Sequence, residues 1–364
     1  MTIYYMAYAL MLFCALWRLF HSRDLRQPKS RRWLCLLFAA MWICIVGLRH
    51  PSMGVDLQYG ETTGYLGRFA MMVDAPWDDI LHEKMLHYER GYIIFNKLLG
   101  YISDDPQILL FVCALISIGL VSVVIYNNSD YPLMSMVIYL GLPCFYIGFS
   151  GLRQAIAIAI TMLSFEFIRR RKLLLFVAII ALAATFHSSA WTMLIAYPLY
   201  RVRLKGALSL TSVLLPLAVF AFRSPLFAIF SRLFKDDAKP DNNGALTLFL
   251  VFWAVYLFAV LFEHREDGEE LGLRNLYLMA CLCQAFGGIY QTAIRVGYYF
   301  MIYLVLLLPR IIRNEDKRTR GQRYNHSAMY MYLAIGICFA LFGLYSISSA
   351  SWAMANPHRF FWQG

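Results

Sequence analysis

Charged side chains are scarce in this sequence. Asp, Glu, Lys and Arg make up 15% of its 364 residues, where a soluble domain carries about a quarter. With 60% of the chain hydrophobic, polar surface is too small to cover a water-soluble globule of this length. A chain that crosses a membrane repeatedly is the class that remains. Chemical signatures are missing too. There is no Asp-x-Asp of metal-dependent nucleotide-sugar transferases, no Gly-rich phosphate loop and no Gly-x-Ser-x-Gly nucleophile, so the residues imply neither a metal nor a cofactor. The doublets Asp78–Asp79, Asp104–Asp105 and Asp236–Asp237 read as solvated turns. All eight cysteines lie in apolar stretches without the spacing of a zinc site or a redox pair, and read as small core residues. No Gly/Ser-rich linker, low-complexity tract or internal repeat divides the sequence, so residues 1–364 read as a single integral membrane domain.

What the sequence does have is four short basic runs, at 23–32, 169–172, 201–205 and 310–323. The net charge of +11 would suggest nucleic acid if it sat on a soluble domain. Concentrated beside apolar stretches, it reads instead as topology and contact with anionic lipid, with no nucleic-acid partner. The first apolar stretch, Ile3–Phe20, has no preceding charge and is followed by basic residues, so it is expected to be a retained span with its N-terminus outside. At ~20 residues per crossing, the spans are expected at 3–20, 33–48, 106–126, 132–149, 152–168, 172–186, 189–200, 206–222, 245–262, 273–290, 296–309 and 327–346. The fold class is therefore all-α, a polytopic bundle of about twelve spans. It places the four basic runs inside and both termini outside.

Two segments resist simple threading. Residues 172–201 are too few for two full crossings, so a hairpin of two short helices is expected, with its turn at 186–189 and His187 at the floor of an outward pocket. Residues 49–105 form the longest polar excursion. Its apolar end, 91–102, is interrupted by Asn96 and Lys97, as in an interfacial or re-entrant helix on the outer face. Residues 347–364 form an outer-face tail.

On this threading the polar clusters left over share the outer face. Arg153 and Arg295 each open a span, where a guanidinium is costly and calls for a partner or a purpose. Guanidinium forks grip phosphate oxygens without a metal, so convergent arginines point to a lipid diphosphate; an arginine snorkelling to headgroups is the structural alternative. His187 is a candidate base because neutral imidazole accepts a proton near pH 7. Asp56 and Glu89 are rival bases, with Arg49 and Arg90 near them in sequence.

Taken in order, these clusters resemble the EpsG-like and Wzy-type bacterial polysaccharide polymerases. The matching stretches are Arg49-x4-Gly54-x-Asp56-x2-Tyr59, Glu89-x-Gly91-Tyr92, Gly151-Leu152-Arg153-Gln154-x-Ile156-Ala157, Phe186-His187-x-Ser189-Ala190 and Arg295-x3-Tyr299-Phe300. The tail Asn356–Pro357–His358–Arg359–Phe360 is similar to the family's C-terminal motif, with His358 in place of an aromatic. The resemblance implies transfer of a glycan from undecaprenyl diphosphate to the non-reducing end of another lipid-linked repeat unit. The site would face the periplasm or cell exterior from the plasma (inner) membrane. It implies a catalytic set of His187, Asp56 and Glu89, and a diphosphate grip by Arg153, Arg295, Arg49 and Arg90. Tyr59, Tyr92, Tyr298 and Gln154 would contact sugar. The lipid-linked oligosaccharide and the bilayer are the expected partners, with a chain-length regulator and a flippase of the same pathway. An O-antigen ligase and a polysaccharide transporter are the alternatives. The ligase would carry its large external loop late in the chain, and the transporter would show two related halves with paired broken helices.

Overall fold

The computed structural model describes residues 2–21, 33–57, 64–82, 88–234, 245–319, 326–349 and 357–363. Among the described residues every regular element is helical. The chain divides into two compact units, one running to Trp191 and resuming at Met329, the other comprising Thr192–Ala328.

The first unit opens with α1 (Thr2–His21) and α2 (Trp33–Gly47). The long polar excursion then folds into three short helices, α3 (Tyr65–Asp74), α4 (Trp77–His82) and α5 (Arg90–Gly100). Asn96 and Lys97 interrupt the apolar pattern of α5; Asn96 bonds within its own helix, and Lys97 ties α5 to the end of α3. Asn96 is fully buried and donates to the Tyr92 carbonyl at 2.7 Å. Lys97 Nζ reaches the carbonyls of Val73 and Ala75 at 2.5 and 2.7 Å. A cation thus satisfies the open carbonyls at the C-terminus of α3, where the helix dipole favours positive charge.

After α6 (Gln107–Asn128) come α7 (Pro132–Gly141) and α8 (Pro143–Ser150), each with proline in its first turn. Proline starts a helix readily but cannot continue one, so the apolar stretch expected as one span is two helices bent by 59°. α9 (Leu152–Leu163), α10 (Phe165–Arg169) and α11 (Leu173–Ala184) follow. α2 packs along α6, α6 along α9, and α9 against α8 and α11, while α1 lies against α7. The last helix, Ser327–Ser349, lies mostly in this unit. α11 stops at Ala184 and a 3-10 helix begins at Ser188, so the helix breaks where the short hairpin's turn is expected.

The second unit contains α12 (Ala196–Leu199), α13 (Ala207–Ser212), α14 (Leu214–Ala221), α15 (Arg223–Phe234), α16 (Ala245–Leu261), α17 (Gly268–Gln284), α18 (Gln291–Met301) and α19 (Leu304–Thr319). α17 is its axis, packed by α14, α16, α18 and α19. Although it carries Glu270, Arg274 and Asn275, all three are buried. Arg274 donates to Ser209 Oγ at 2.7 Å and pairs with Glu263, while Asn275 donates to the Leu199 and Val202 carbonyls.

Two described helices are individually long and apolar enough to cross a membrane, or five if each bent pair forms one span; four shorter apolar helices accompany them. Among the described residues, helices of spanning length do not by themselves establish the expected twelve; the stretch expected at 132–149 is broken at Pro143, and several other apolar helices are shorter than a crossing. Exposed leucines support membrane residence: Leu174 is 85% exposed and Leu208 63%, side chains that water would not favour in such number.

Among the described residues, one non-glycine position is strained. Arg171 has φ 58°, closing α10 with bonds from its own N–H to Ile168 O at 3.3 Å and from Lys172 N–H to Phe167 O at 2.9 Å. That pair of bonds is the left-handed helix ending usually built on glycine. Arg171→Gly is expected to raise stability by about 1 kcal/mol, read as a higher thermal unfolding midpoint of the detergent-purified protein.

Candidate active site

The polar cluster in the first unit is built on Glu89, the residue before α5. Its sequence neighbour Gly91 explains its location. A Cβ on Gly91 would meet Thr185 Oγ1 at 2.3 Å and Thr185 O at 2.8 Å, so only glycine lets the start of α5 touch the end of α11. Across that contact Tyr92 N–H donates to the Thr185 carbonyl at 3.1 Å. Glu89 is thereby carried to the turn containing His187.

Glu89 Oε1 accepts the Ser188 N–H at 2.8 Å, at the first residue of the 3-10 helix, where an N–H lacks an internal partner. The same oxygen lies 3.3 Å from His187 Nδ1; that nitrogen is buried and off the line of a full hydrogen bond. Oε2 takes a close ion pair from an Arg153 terminal nitrogen. Arg153, the second residue of α9, also sits 3.5 Å from the Tyr65 hydroxyl and stacks over the Tyr88 ring at 4.0 Å. Arg68 lies against the same ring at 4.7 Å, and Tyr65 stacks on it at 5.8 Å. Guanidinium on an aromatic face gains cation–π attraction while keeping its edge for hydrogen bonds.

Burial by itself would raise the Glu89 carboxyl; the His187 contact, the Ser188 N–H and Arg153 outweigh it and hold the group at about 2. A carboxylate that acidic is a poor proton acceptor near neutral pH. Its chemistry here is to orient the imidazole and the guanidinium.

The other expected residues are distributed as follows. Asp56 is exposed, and its carbonyl accepts the Tyr65 N–H at 2.9 Å, which brings its backbone to the edge of the cluster. Arg90 is exposed on the first turn of α5. Tyr92 is buried, edge-on to Tyr65 and Tyr88, and Gln154 is buried on α9. Arg295, exposed, and Tyr298 lie on α18 of the second unit. Tyr59 lies outside the described residues. Arg49 has a different setting from Arg153. Fully enclosed, it donates to the carbonyls of Val46, Met53, Gly148 and Phe149. Beside it, His50 N–H bonds to Arg359 O at 2.7 Å and Phe361 N–H to Leu48 O at 3.0 Å, clasping the C-terminal tail. Gly54 belongs to the same turn: its φ is 128°, and a Cβ there would strike the Phe149 carbonyl at 2.2 Å.

Sequence reading passed over Tyr65, Tyr88 and Arg68. Tyr88 carried a signal, as an aromatic immediately before Glu89 in a polar segment. Tyr65 and Arg68 had none, since their contacts depend on how α3 packs against α5. Among the described residues no three His, Cys, Asp or Glu side chains gather as a metal site would require.

An all-helical membrane protein with a His–Glu–Arg cluster is the class these observations define. The EpsG family model matches residues 32–360, and the chain belongs to that family, one of Wzy-like polymerases. It is accordingly a membrane protein of the polysaccharide-polymerase type. No curated protein and no solved structure gives a significant match.

Two outcomes follow from the cluster. Gly91→Ala is expected to part α5 from the α11 turn and cut activity at least about tenfold with the helical content retained, measured by turnover beside circular dichroism. Glu89 has a depressed folded pKa, so its stabilisation is complete above about pH 4.5 and is lost as pH falls toward about 2. The gap in unfolding midpoint between wild type and Glu89→Gln should be constant above pH 5 and shrink below 4.5.

Proposed function

We propose that this protein transfers a growing glycan from a polyprenyl diphosphate carrier to an acceptor sugar on another lipid-linked repeat unit, at the outer face of the plasma membrane. The observation that carries this reading is the single carboxylate of Glu89, which addresses His187 and Arg153 together. With Nδ1 turned to Glu89, His187 keeps Nε2 for the acceptor hydroxyl, as in other carboxylate-oriented histidines. The hydroxyl oxygen attacks the anomeric carbon, its proton passes to Nε2, and the carbon–oxygen bond to the diphosphate breaks. The carrier leaves as the diphosphate, and attack opposite the leaving group inverts the anomeric centre.

Negative charge develops on the leaving oxygen. Arg153 stabilises it as a fixed, permanently charged donor, and Arg68 and the exposed Arg90 add positive potential in the same unit. Glu89 acts as a positioning residue. Tyr88 and Tyr65 offer ring faces of the kind on which sugars stack, and Asp56 is the remaining acidic candidate for orienting the acceptor.

Purified protein supplied with its cognate lipid-linked repeat unit is expected to give a ladder of lengthening glycans. His187→Ala should slow it by about 10²–10⁴-fold, the usual contribution of a positioned base. Arg153→Lys, which keeps charge but loses the fork, should slow it by at least about tenfold. Unchanged rates in both variants, or no ladder from folded protein with verified substrate, would refute the assignment.

A further inference from the structure

The C-terminal tail, 357–363, has no part in the proposed transfer, yet it is bound at a point that leads to Arg153. It runs antiparallel to the end of α2, with Arg49 and Phe360 paired as a bridge. Besides the bonds made by His50 and Phe361, Arg359 N–H reaches Met53 Sδ at 3.2 Å. His358 Nδ1 shares a hydrogen bond of 2.9 Å with the hydroxyl of Tyr4, which is buried on α1 and stacked on Trp42. The tail also closes on itself, through Phe360 N–H and Gln363 Oε1 at 2.8 Å.

These bonds converge on Arg49. Every nitrogen of its guanidinium donates to a backbone carbonyl. Two of those carbonyls, Gly148 and Phe149, belong to the last turn of α8, where carbonyls lack helical partners and the dipole favours a cation. Only Gly151 separates α8 from α9, and Arg153 is the second residue of α9. The place of the α8 end therefore sets the place of the Arg153 backbone.

The turn that starts at Arg49 also reaches the other side of the site. Val55 N–H donates to Ser150 Oγ at 3.2 Å. The carbonyls of Asp56 and Leu57 accept the N–H groups of Tyr65 and Leu66, at 2.9 and 3.4 Å, where α3 begins. Residues 49–57 thus bind both the helix end that leads to Arg153 and the helix start that carries Tyr65, and those two side chains meet at 3.5 Å. The tail itself buries little apolar surface, with Phe361 45% and Trp362 59% exposed, so burial gives it a small share in folding. What its bonds do is fix the Leu48–Met53 stretch from which the turn departs.

We propose that the tail and Arg49 are positioning elements for catalysis, which act through the 49–57 turn to hold Arg153 and Tyr65 in register. This rests on Arg153 as the donor to the leaving oxygen in the proposed transfer. Arg49 acts on the substrate through Arg153, without touching it. A shift of about 1 Å at such a group costs on the order of a hundredfold in rate. Because the donor works on charge that develops only in the transition state, the loss falls on kcat and not on KM.

The full-length protein would be compared with a deletion of residues 357–364 and with Arg49→Lys, which keeps the charge but loses the fork that spans four carbonyls. Each is expected to lower kcat at least about tenfold with KM changed less than about twofold. In an Arg153→Lys background the deletion should lower kcat by less than about twofold more, since both changes act on one group. Wild-type kcat in the deletion, or losses that multiply in full with Arg153→Lys, overturns the proposal. Hydrogen–deuterium exchange reads the same coupling without turnover. The deletion should speed exchange at Val55, Tyr65 and Leu66, and a change confined to Leu48–Met53 overturns the proposal. Should the wild type make no glycan from verified substrate, the polymerase reading fails and the exchange pattern alone decides the coupling. If the deletion unfolds the protein, Phe361→Pro, which removes the N–H bonded to Leu48 O, carries both measurements.

Discussion

A half-buried carboxylate must be compensated, and the compensation of Glu89 organises the first unit's polar chemistry. Its partners come from separate parts of the chain: the start of α9 supplies Arg153, and the turn after α11 supplies His187 and the Ser188 N–H. Removing any of them would leave charge in a place that water reaches poorly, which is why the three segments are held in mutual register. The bare backbone of Gly91 is the steric condition for this arrangement. In the proposed reaction one charge fixes the direction of the imidazole and the position of the guanidinium together, and its own acidity removes it from competition as a base.

Arg49 and Arg153 show how one residue type diverges with its surroundings. Among the described residues Arg49 meets four carbonyls and no carboxylate, so it becomes a rigid hub between the end of α2, the following turn and the α8 backbone. Arg153 meets a carboxylate, a phenol and an aromatic face, and is only partly enclosed. The first setting consumes the donors of the guanidinium in structure. The second keeps the group near solvent with its charge directed, which is what a ligand-binding arginine requires.

The second unit solves a different electrostatic problem. Charged residues at the ends of α16, α17 and α19 are paired in a network in which Asp267, Glu270 and Glu315 each meet more than one donor. His264 is drawn into it 3.0 Å from Glu270, and its pKa is raised chiefly by that hydrogen bond. Such a network ties several helix ends at one level without an apolar core, which is what the polar boundary of a membrane allows.

Composition pointed to a membrane-embedded chain and the length of its apolar runs to helices, because an unbroken apolar run can satisfy its backbone in lipid only as a helix. Glu89, Arg153 and His187 could also be singled out, since charge and imidazole stand out against apolar sequence. Their assembly could not be read, because it depends on a contact between Gly91 and Thr185 across more than ninety residues of chain. Tyr65 and Arg68 were hidden for the same reason: α3 reaches the cluster only by packing on α5. The length of the apolar runs likewise overstated the continuity of the spans, since such a run looks alike whether it is one helix or two bent at a proline. Sequence fixes which groups need partners; only tertiary packing decides which partners they meet, because the deciding contacts are between segments distant along the chain.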